Sequence, residues 1–148
     1  MITLREVTDE NYRDCYELQH ADQQFVESPV HILAEAYISR HDWTAYCIYW
    51  HDELIGMTLL RNKPADGTKS YGFSEFLIAD NHRRKGLGTA AVKAILHKLR
   101  TEHGFTEVKI CVYEDNTTAR NFYKKIGFQE GKPAEWCDAF IEYSEITY

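Results

Sequence analysis

The sequence predicts a mixed α/β fold: a mostly antiparallel central sheet with one parallel crossover, flanked by helices. Three observations predict it. The segments WTAYCIYW and LIGMTLLR are strand-like and only HDE separates them, which makes an antiparallel hairpin. A long helical pattern lies between the strands YGFSEFLI and EVKICVY, the length a parallel connection needs. The chain then closes with two more strand segments, FQEGKPAEW and DAFIEYSEI.

In chain order, ITLREV alternates as a first strand. Thr8 or Asp9 can cap a helix with Tyr12, Cys15 and Tyr16 on its apolar side. Ser28-Pro29 is a cap followed by a favourable first helical residue, opening a second helix with Ile32, Leu33, Ala36 and Tyr37 on one face. The hairpin follows, then the loop NKPADGTKS and the fourth strand. Leu87, Ala91, Ala94, Ile95 and Leu99 recur at helical spacing. After the fifth strand, residues Asn116 to Ile126 form a last helix that Gly127 stops. The order is β-α-α-β-β-β-α-β-α-β-β, with no repeat or linker, so residues 1–148 are expected to form a single domain.

Composition narrows the function. The 44% hydrophobic and 27% charged residues are those of a globular chain. No apolar run approaches the ~20 residues of a membrane helix, and MITLREVTDE does not read as a signal peptide. The four cysteines form no C-x-x-C pair and suit reduced thiols in the cytoplasm. A net charge of −6 argues against a nucleic-acid binder. The seven histidines lack metal-site spacing and are read as surface or packing residues, so no metal is expected.

Against this acidic background, HRRKGLG stands out. Arg83, Arg84 and Lys85 are followed by Gly86-Leu87-Gly88-Thr89 as a helix begins. A helix N-terminus carries unpaired N–H groups and positive potential, and small residues let a phosphate reach them. The G-x-G-x-x-A spacing also fits a dinucleotide fingerprint, but only one parallel crossover exists and no acidic residue ends the next strand. No Walker Gly-Lys-Ser/Thr follows either.

The segment Arg83-Arg84-Lys85-Gly86-Leu87-Gly88 has the form Arg/Gln-x-x-Gly-x-Gly/Ala. About thirty residues on, Asn116 to Phe128 has the form Asn-x-x-Ala-x-x-x-Tyr-x-x-x-Gly-Phe. Together, in this order and spacing, the two blocks resemble the GNAT superfamily of N-acetyltransferases over essentially the whole chain. That resemblance implies the GNAT fold and acetyl-coenzyme A bound where the fourth and fifth strands splay apart. It implies that Arg83, Arg84, Lys85, Gly86, Leu87, Gly88 and Thr89 hold the pyrophosphate, and that Phe76, Leu77 and Ile78 offer backbone groups to the pantetheine arm. Asn116 would bond that arm, the Ile78 N–H would face the oxyanion, and Tyr123 would both contact the cofactor and protonate the departing thiolate.

The attacking amine must be neutral, yet an alkylammonium near pKa ~10.4 is about one part in a thousand free base at pH 7. A carboxylate or a water chain should help, and Glu75 on the fourth strand is the candidate base. The amino-terminal third, with QQFVES and a Ser-Pro-capped helix, resembles the bacterial polyamine and diamine acetyltransferase branch. Carboxylates and aromatic faces suit a polyamine such as spermidine or spermine. Glu27, Glu35, Tyr37 and Glu75 are the candidate acceptor residues, with Glu17 and Asp22 as further carboxylates. Other acceptors remain open: a protein N-terminus, a lysine, an amino acid or an aminoglycoside. So does a non-catalytic acyl-coenzyme A-binding domain, and a homodimer is possible.

Overall fold

The structure is a computed structural model that describes residues 1–20, 25–65, 67–68, 70–83, 85–105 and 107–146, with backbone alone at 137–139 and 145–146. Its strands are β1 (Ile2–Glu6), β2 (Trp43–Trp50), β3 (Glu53–Arg61), β4 (Ser70–Ile78), β5 (Glu107–Tyr113), β6 (Gln129–Ala134) and β7 (Cys137–Ile146). Its α-helices are α1 (Pro29–Ile38), α2 (Leu87–His103) and α3 (Thr117–Ile126). The strands form one sheet in the order β1-β2-β3-β4-β5-β7-β6. Every neighbouring pair is antiparallel except β4–β5, which the α2 crossover makes parallel.

Local chemistry explains most boundaries. The β2–β3 turn places His51 and Asp52 at φ 52° and 72°, the paired left-handed conformation whose twist matches a two-residue hairpin. Ser28 Oγ accepts the His31 N–H at 3.2 Å and Pro29 opens α1. Asn116 Oδ1 accepts the Ala119 N–H at 3.1 Å at the start of α3. Gly104, at φ 59°, closes α2 with its N–H on the Arg100 carbonyl.

Two expectations are corrected. The helix expected from Thr8 is only a 3-10 turn at Asp14–Glu17. Asn11 explains it, because its Oδ1 takes the Thr8 N–H and its Nδ2 donates to the Glu6 carbonyl. Such side-chain bonds compete with a helical ladder. Asp14, Cys15 and Tyr16 then donate three residues back rather than four. The second correction is Tyr37, which does not share the Ile32 face. Five residues on a helix turn through about 140°, and Tyr37 stands 65% exposed with the Arg40 guanidinium 4.5 Å from its ring centre.

The sheet carries cores on both faces. Val92, Ile95, Leu96 and Leu99 of α2 pack with Tyr123 and Phe128 over Phe73, Val108, Ile110 and Val112. Ile32 of α1, with Cys15 and Leu18, covers Cys47, Met57, Leu59 and Leu77 on the other side. Because α1 covers only the β2–β4 part of its face, the outward residues of β5 and β7 there are left open: Cys111, Tyr113, Phe140 and Glu142. Among the described residues no helix is long and apolar enough to cross a membrane.

The closing hairpin is tied to α3 by one charged cluster. Arg120 Nε donates to the Tyr143 hydroxyl at 3.0 Å and pairs with Glu130, and the Tyr143 hydroxyl donates to Glu130 at 2.8 Å. The Tyr143 hydroxyl and the Arg120 guanidinium together hold the Glu130 carboxyl down at about 2. A carboxylate with a depressed folded pKa adds stability above its unfolded value, and that stability is lost as pH falls through the folded one. Glu130→Gln is therefore expected to melt below the wild type at pH 7, with the gap closing between about pH 4.5 and 2. A gap in melting temperature that persists at pH 2 would contradict this.

Candidate active site

The apolar phase of β4 slips partway along the strand. Tyr71 and Phe73 face the α2–α3 side, and so, three residues on, does Phe76, followed by Ile78. The register slips with it: Leu59 pairs with Ser74, but Met57 pairs with Leu77. Two β4 residues, Glu75 and Phe76, thus stand against Thr58 as a bulge. Glu75 sits at φ 55°, a left-handed conformation uncommon outside glycine. Thr58 Oγ1 donates to the Ser74 carbonyl at 3.0 Å and pins the distortion. Gly56 lets β3 approach closely, since a Cβ there would lie 2.1 Å from the Leu77 carbonyl oxygen.

The parallel pairing of β4 with β5 stops at Gly72 and Lys109, and the strands part beyond it. Gly72 permits that last contact, because a Cβ there would lie 2.3 Å from the Lys109 oxygen. The Ala79 N–H bonds the Ile55 carbonyl at 2.8 Å. Antiparallel alternation then commits the Leu77 backbone to Met57 and turns the Ile78 N–H toward the gap. The Ile78 carbonyl accepts Arg83 Nε at 3.3 Å instead of a β3 donor. So of the three β4 residues expected to offer backbone groups, Ile78 presents its N–H, Leu77 is taken by β3, and Phe76 adjoins the bulge.

A cavity of about 520 Å³ opens at this divergence. Ser74, Glu75, Phe76, Asn116 and Tyr123 line its inner part, and Phe25, Trp43, Tyr113, Trp136 and Phe140 its walls. Burial pushes the Tyr123 phenol well above its ordinary value, so it is neutral and a proton donor at pH 7. Its ring packs against Phe122 and Phe128 at 5.0 and 5.5 Å.

Three expected acceptor carboxylates meet here. Glu75 Oε2 accepts the Glu27 N–H at 3.4 Å, and His31 lies 3.8 Å from both Glu27 and Glu35. Burial first, and the Glu35 charge second, raise the Glu75 carboxyl above its ordinary value. Tyr37 is not brought to this cavity, and Glu17 lies on the 3-10 turn away from it. Asp22 and Arg84 fall outside the described residues.

At the start of α2, Gly86 sits at φ 75° and supplies no side-chain cap. The first intrahelical bond is Ala90 N–H to the Gly86 carbonyl, so the N–H groups of Leu87, Gly88 and Thr89 have no helical acceptor. Lys85 is exposed beside them, while Arg83 also lies 3.8 Å from Asp80. A phosphate fits these donors. The Leu87 side chain is buried with Ile48, Ile55 and Ile78, so only its backbone can serve a ligand. Gly88 has a packing role as well, for a Cβ there would meet the Phe122 ring at 3.4 Å. A bulky residue at 88 therefore disturbs the α2–α3 contact as well as any phosphate.

The slipped spacing of Tyr71, Phe73, Phe76 and Ile78 is the sequence signal that could have marked the bulge. His31 and the aromatic walls carried no local signal, because distant elements bring them together. Among the described residues no group of three His, Cys, Asp or Glu side chains could hold a metal.

The protein resembles known acetyltransferases in sequence and in fold. It is 25% identical over 134 residues to the spermine/spermidine N(1)-acetyltransferase of Bacillus subtilis (strain 168), covering 86% of this chain and 88% of that protein. It is 32% identical over 77 residues to an N-alpha-acetyltransferase of Sulfurisphaera tokodaii, covering 52% and 46%. The aminoglycoside acetyltransferase AAC(6')-Ib, solved with coenzyme A, shares the fold at TM-score 0.80 and 22% identity over 99% of this chain and 95% of that one. A spermidine N-acetyltransferase from Vibrio cholerae, solved with coenzyme A and spermine, shares it at TM-score 0.74 and 17% identity over 98% and 95%. The acetyltransferase (GNAT) family profile matches residues 5–128, from β1 through the splayed strands to the end of α3, and to that family of acetyltransferases the chain belongs.

Proposed function

We propose that this acetyltransferase moves the acetyl group of acetyl-coenzyme A to a primary amine, with a polyamine such as spermidine or spermine as the leading acceptor. One observation carries the reading: Glu75, raised by burial on a strained bulge, shares a single cavity with the neutral Tyr123 phenol and with Glu27 and Glu35.

In this reading the pyrophosphate rests on the N–H groups of Leu87, Gly88 and Thr89, beside Lys85 and Gly86. Asn116 keeps its Nδ2 for the pantetheine arm while its Oδ1 caps α3. The acetyl carbonyl points at the Ile78 N–H. An ammonium enters among the carboxylates and passes a proton to Glu75, and the free amine attacks the thioester carbon. Negative charge gathers on the carbonyl oxygen, where the fixed Ile78 dipole meets it. The C–S bond then breaks, the thiolate takes the Tyr123 proton, the nitrogen gives up its second proton to restore the phenol, and the neutral amide leaves. Glu75 and Tyr123 are thus the proposed catalytic residues.

Residues 1–148 act in this reading as one catalytic domain in the cytoplasm, where the buried Cys15 and Cys47, with sulfurs 3.5 Å apart, stay thiols. A homodimer is best sought away from the β6 edge, because Lys132 and Pro133 there disfavour strand addition.

Release of coenzyme A thiol with a panel of spermine, spermidine, putrescine, an aminoglycoside, amino acids and a lysine peptide tests the proposal. Fastest release with spermine or spermidine is expected. Preference for the aminoglycoside, itself a polycation, would keep the chemistry and replace the acceptor. No release with any amine, despite tight binding of acetyl-coenzyme A, would point to a binding domain without catalysis.

A further inference from the structure

We infer that Trp136 is a specificity-determining residue, its indole face receiving a second ammonium of the acceptor so that the site favours di- and polycationic amines over monoamines. The inference rests on the proposed amine acetylation.

Trp136 sits at the turn of the β6–β7 hairpin and is 67% exposed, yet it lines the cavity. It belongs to none of the three hydrophobic clusters of the core. The exposed indole face is therefore open to whatever occupies the cavity.

The side chain is also held in place. Its ring lies 4.6 Å from that of Phe140. The ring contacts continue from Phe140 to Tyr113 at 4.0 Å and from Tyr113 to Phe25 at 5.7 Å. This aromatic wall therefore runs from the hairpin tip to the segment that bears Glu27, beside the reacting end.

Charge selects the occupant. Among the described residues the cavity lining carries the carboxylates Glu27, Glu35, Glu75 and Glu142 but only two cations, Arg61 and Lys109. Arg61 lies over the Trp43 ring at 5.1 Å and Lys109 is 3.8 Å from Glu107, so both cations already have partners. Glu142 pairs across the strands with Cys111, at the Trp136 end of the wall. An acceptor whose first amine reacts near Glu75 thus finds aromatic faces along its chain. At the far end it meets a carboxylate beside an indole, the best cation–π partner among the side chains.

Steady-state kinetics with saturating acetyl-coenzyme A, using spermine, spermidine and hexylamine, test this. Trp136→Ala is expected to raise KM for spermine and spermidine about tenfold (about 1.4 kcal/mol) with little change in kcat. KM for hexylamine should stay unchanged, and Trp136→Phe should restore most of the polyamine affinity. Equal KM shifts for spermine and hexylamine would overturn the inference in favour of apolar packing. An unchanged spermine KM would overturn it outright, and a change in sedimentation alongside that result would assign the indole to self-association. A wild-type enzyme that acetylates hexylamine but no polyamine would overturn the polyamine reading, and the inference with it. Polyamine acetylation whose kcat/KM is the same in wild type and Trp136→Ala would sink the inference alone.

Discussion

Tyr123→Phe is expected to lower kcat by about 10²- to 10⁴-fold, the usual contribution of a positioned acid or base, and to leave acetyl-coenzyme A affinity nearly unchanged. The ring is part of the core, packed with Phe73 at 6.1 Å and with Phe122 and Phe128, and phenylalanine preserves that packing. What is lost is the one hydroxyl that the proposed mechanism assigns to protonating the thiolate. Burial pushes this phenol up, which keeps the proton on it until it is needed. In the proposed mechanism a departing thiolate beside this buried phenol would be partly desolvated too, which raises its basicity and sustains the driving force for transfer. Single-turnover rates with spermidine, set beside the dissociation constant for acetyl-coenzyme A, separate chemistry from binding. Unchanged turnover would remove Tyr123 from the acid's role.

Glu75→Gln is expected to lower kcat by a similar factor, about 10²- to 10⁴-fold, and at the same time to raise stability. The wild-type pH profile of kcat/KM should rise through an ionisation above the ordinary carboxylate range, and the variant should lose that limb. The stability sign follows from linkage. A carboxyl whose folded pKa is raised binds its proton more tightly in the native state. Folding therefore loses stability as pH climbs from the unfolded value through the folded one. Glutamine removes this penalty, so the variant should melt above the wild type at pH 7. The gap should disappear below about pH 4, where the carboxyl is protonated in both states. A variant that is inactive and less stable at pH 7 would show that Glu75 is held by stabilising contacts, contrary to its raised pKa. A fully active variant would hand the proton to another group.

Both residues stand in a region whose parts were unevenly legible in the sequence. The Asn116-to-Phe128 block placed Tyr123 on a helix, and local rules suffice for that: Asn116 caps α3 and Gly127, at φ 124°, ends it. The turn at Gly86 was equally legible, because a free helix N-terminus depends only on what precedes it in the chain. Gly88 was half-read, since its contact with Phe122 lies on another helix. Glu75 was identified as an acid on a strand, but its left-handed backbone comes from how β3 and β4 register against each other. Tyr37 was misplaced for a simpler reason: the helical angle from Ile32 had already carried it past the buried face.

The sequence by itself determined the succession of strands and of the three α-helices, the start of α1, the stop of α3, the single parallel crossover and the small-residue turn at Gly86. Each of these depends on neighbours within a few residues, or on a spacing that counts along one chain. Only the tertiary structure decided the bulge at Glu75 and the parting of β4 from β5 after Gly72. It also decided the meeting of Glu27, His31 and Glu35 with Glu75, and the run of rings from Phe25 to Trp136. Those are made by side chains tens of residues apart, and what joins them is the shape of the packed sheet: α1 covers one part of a face and leaves the rest open.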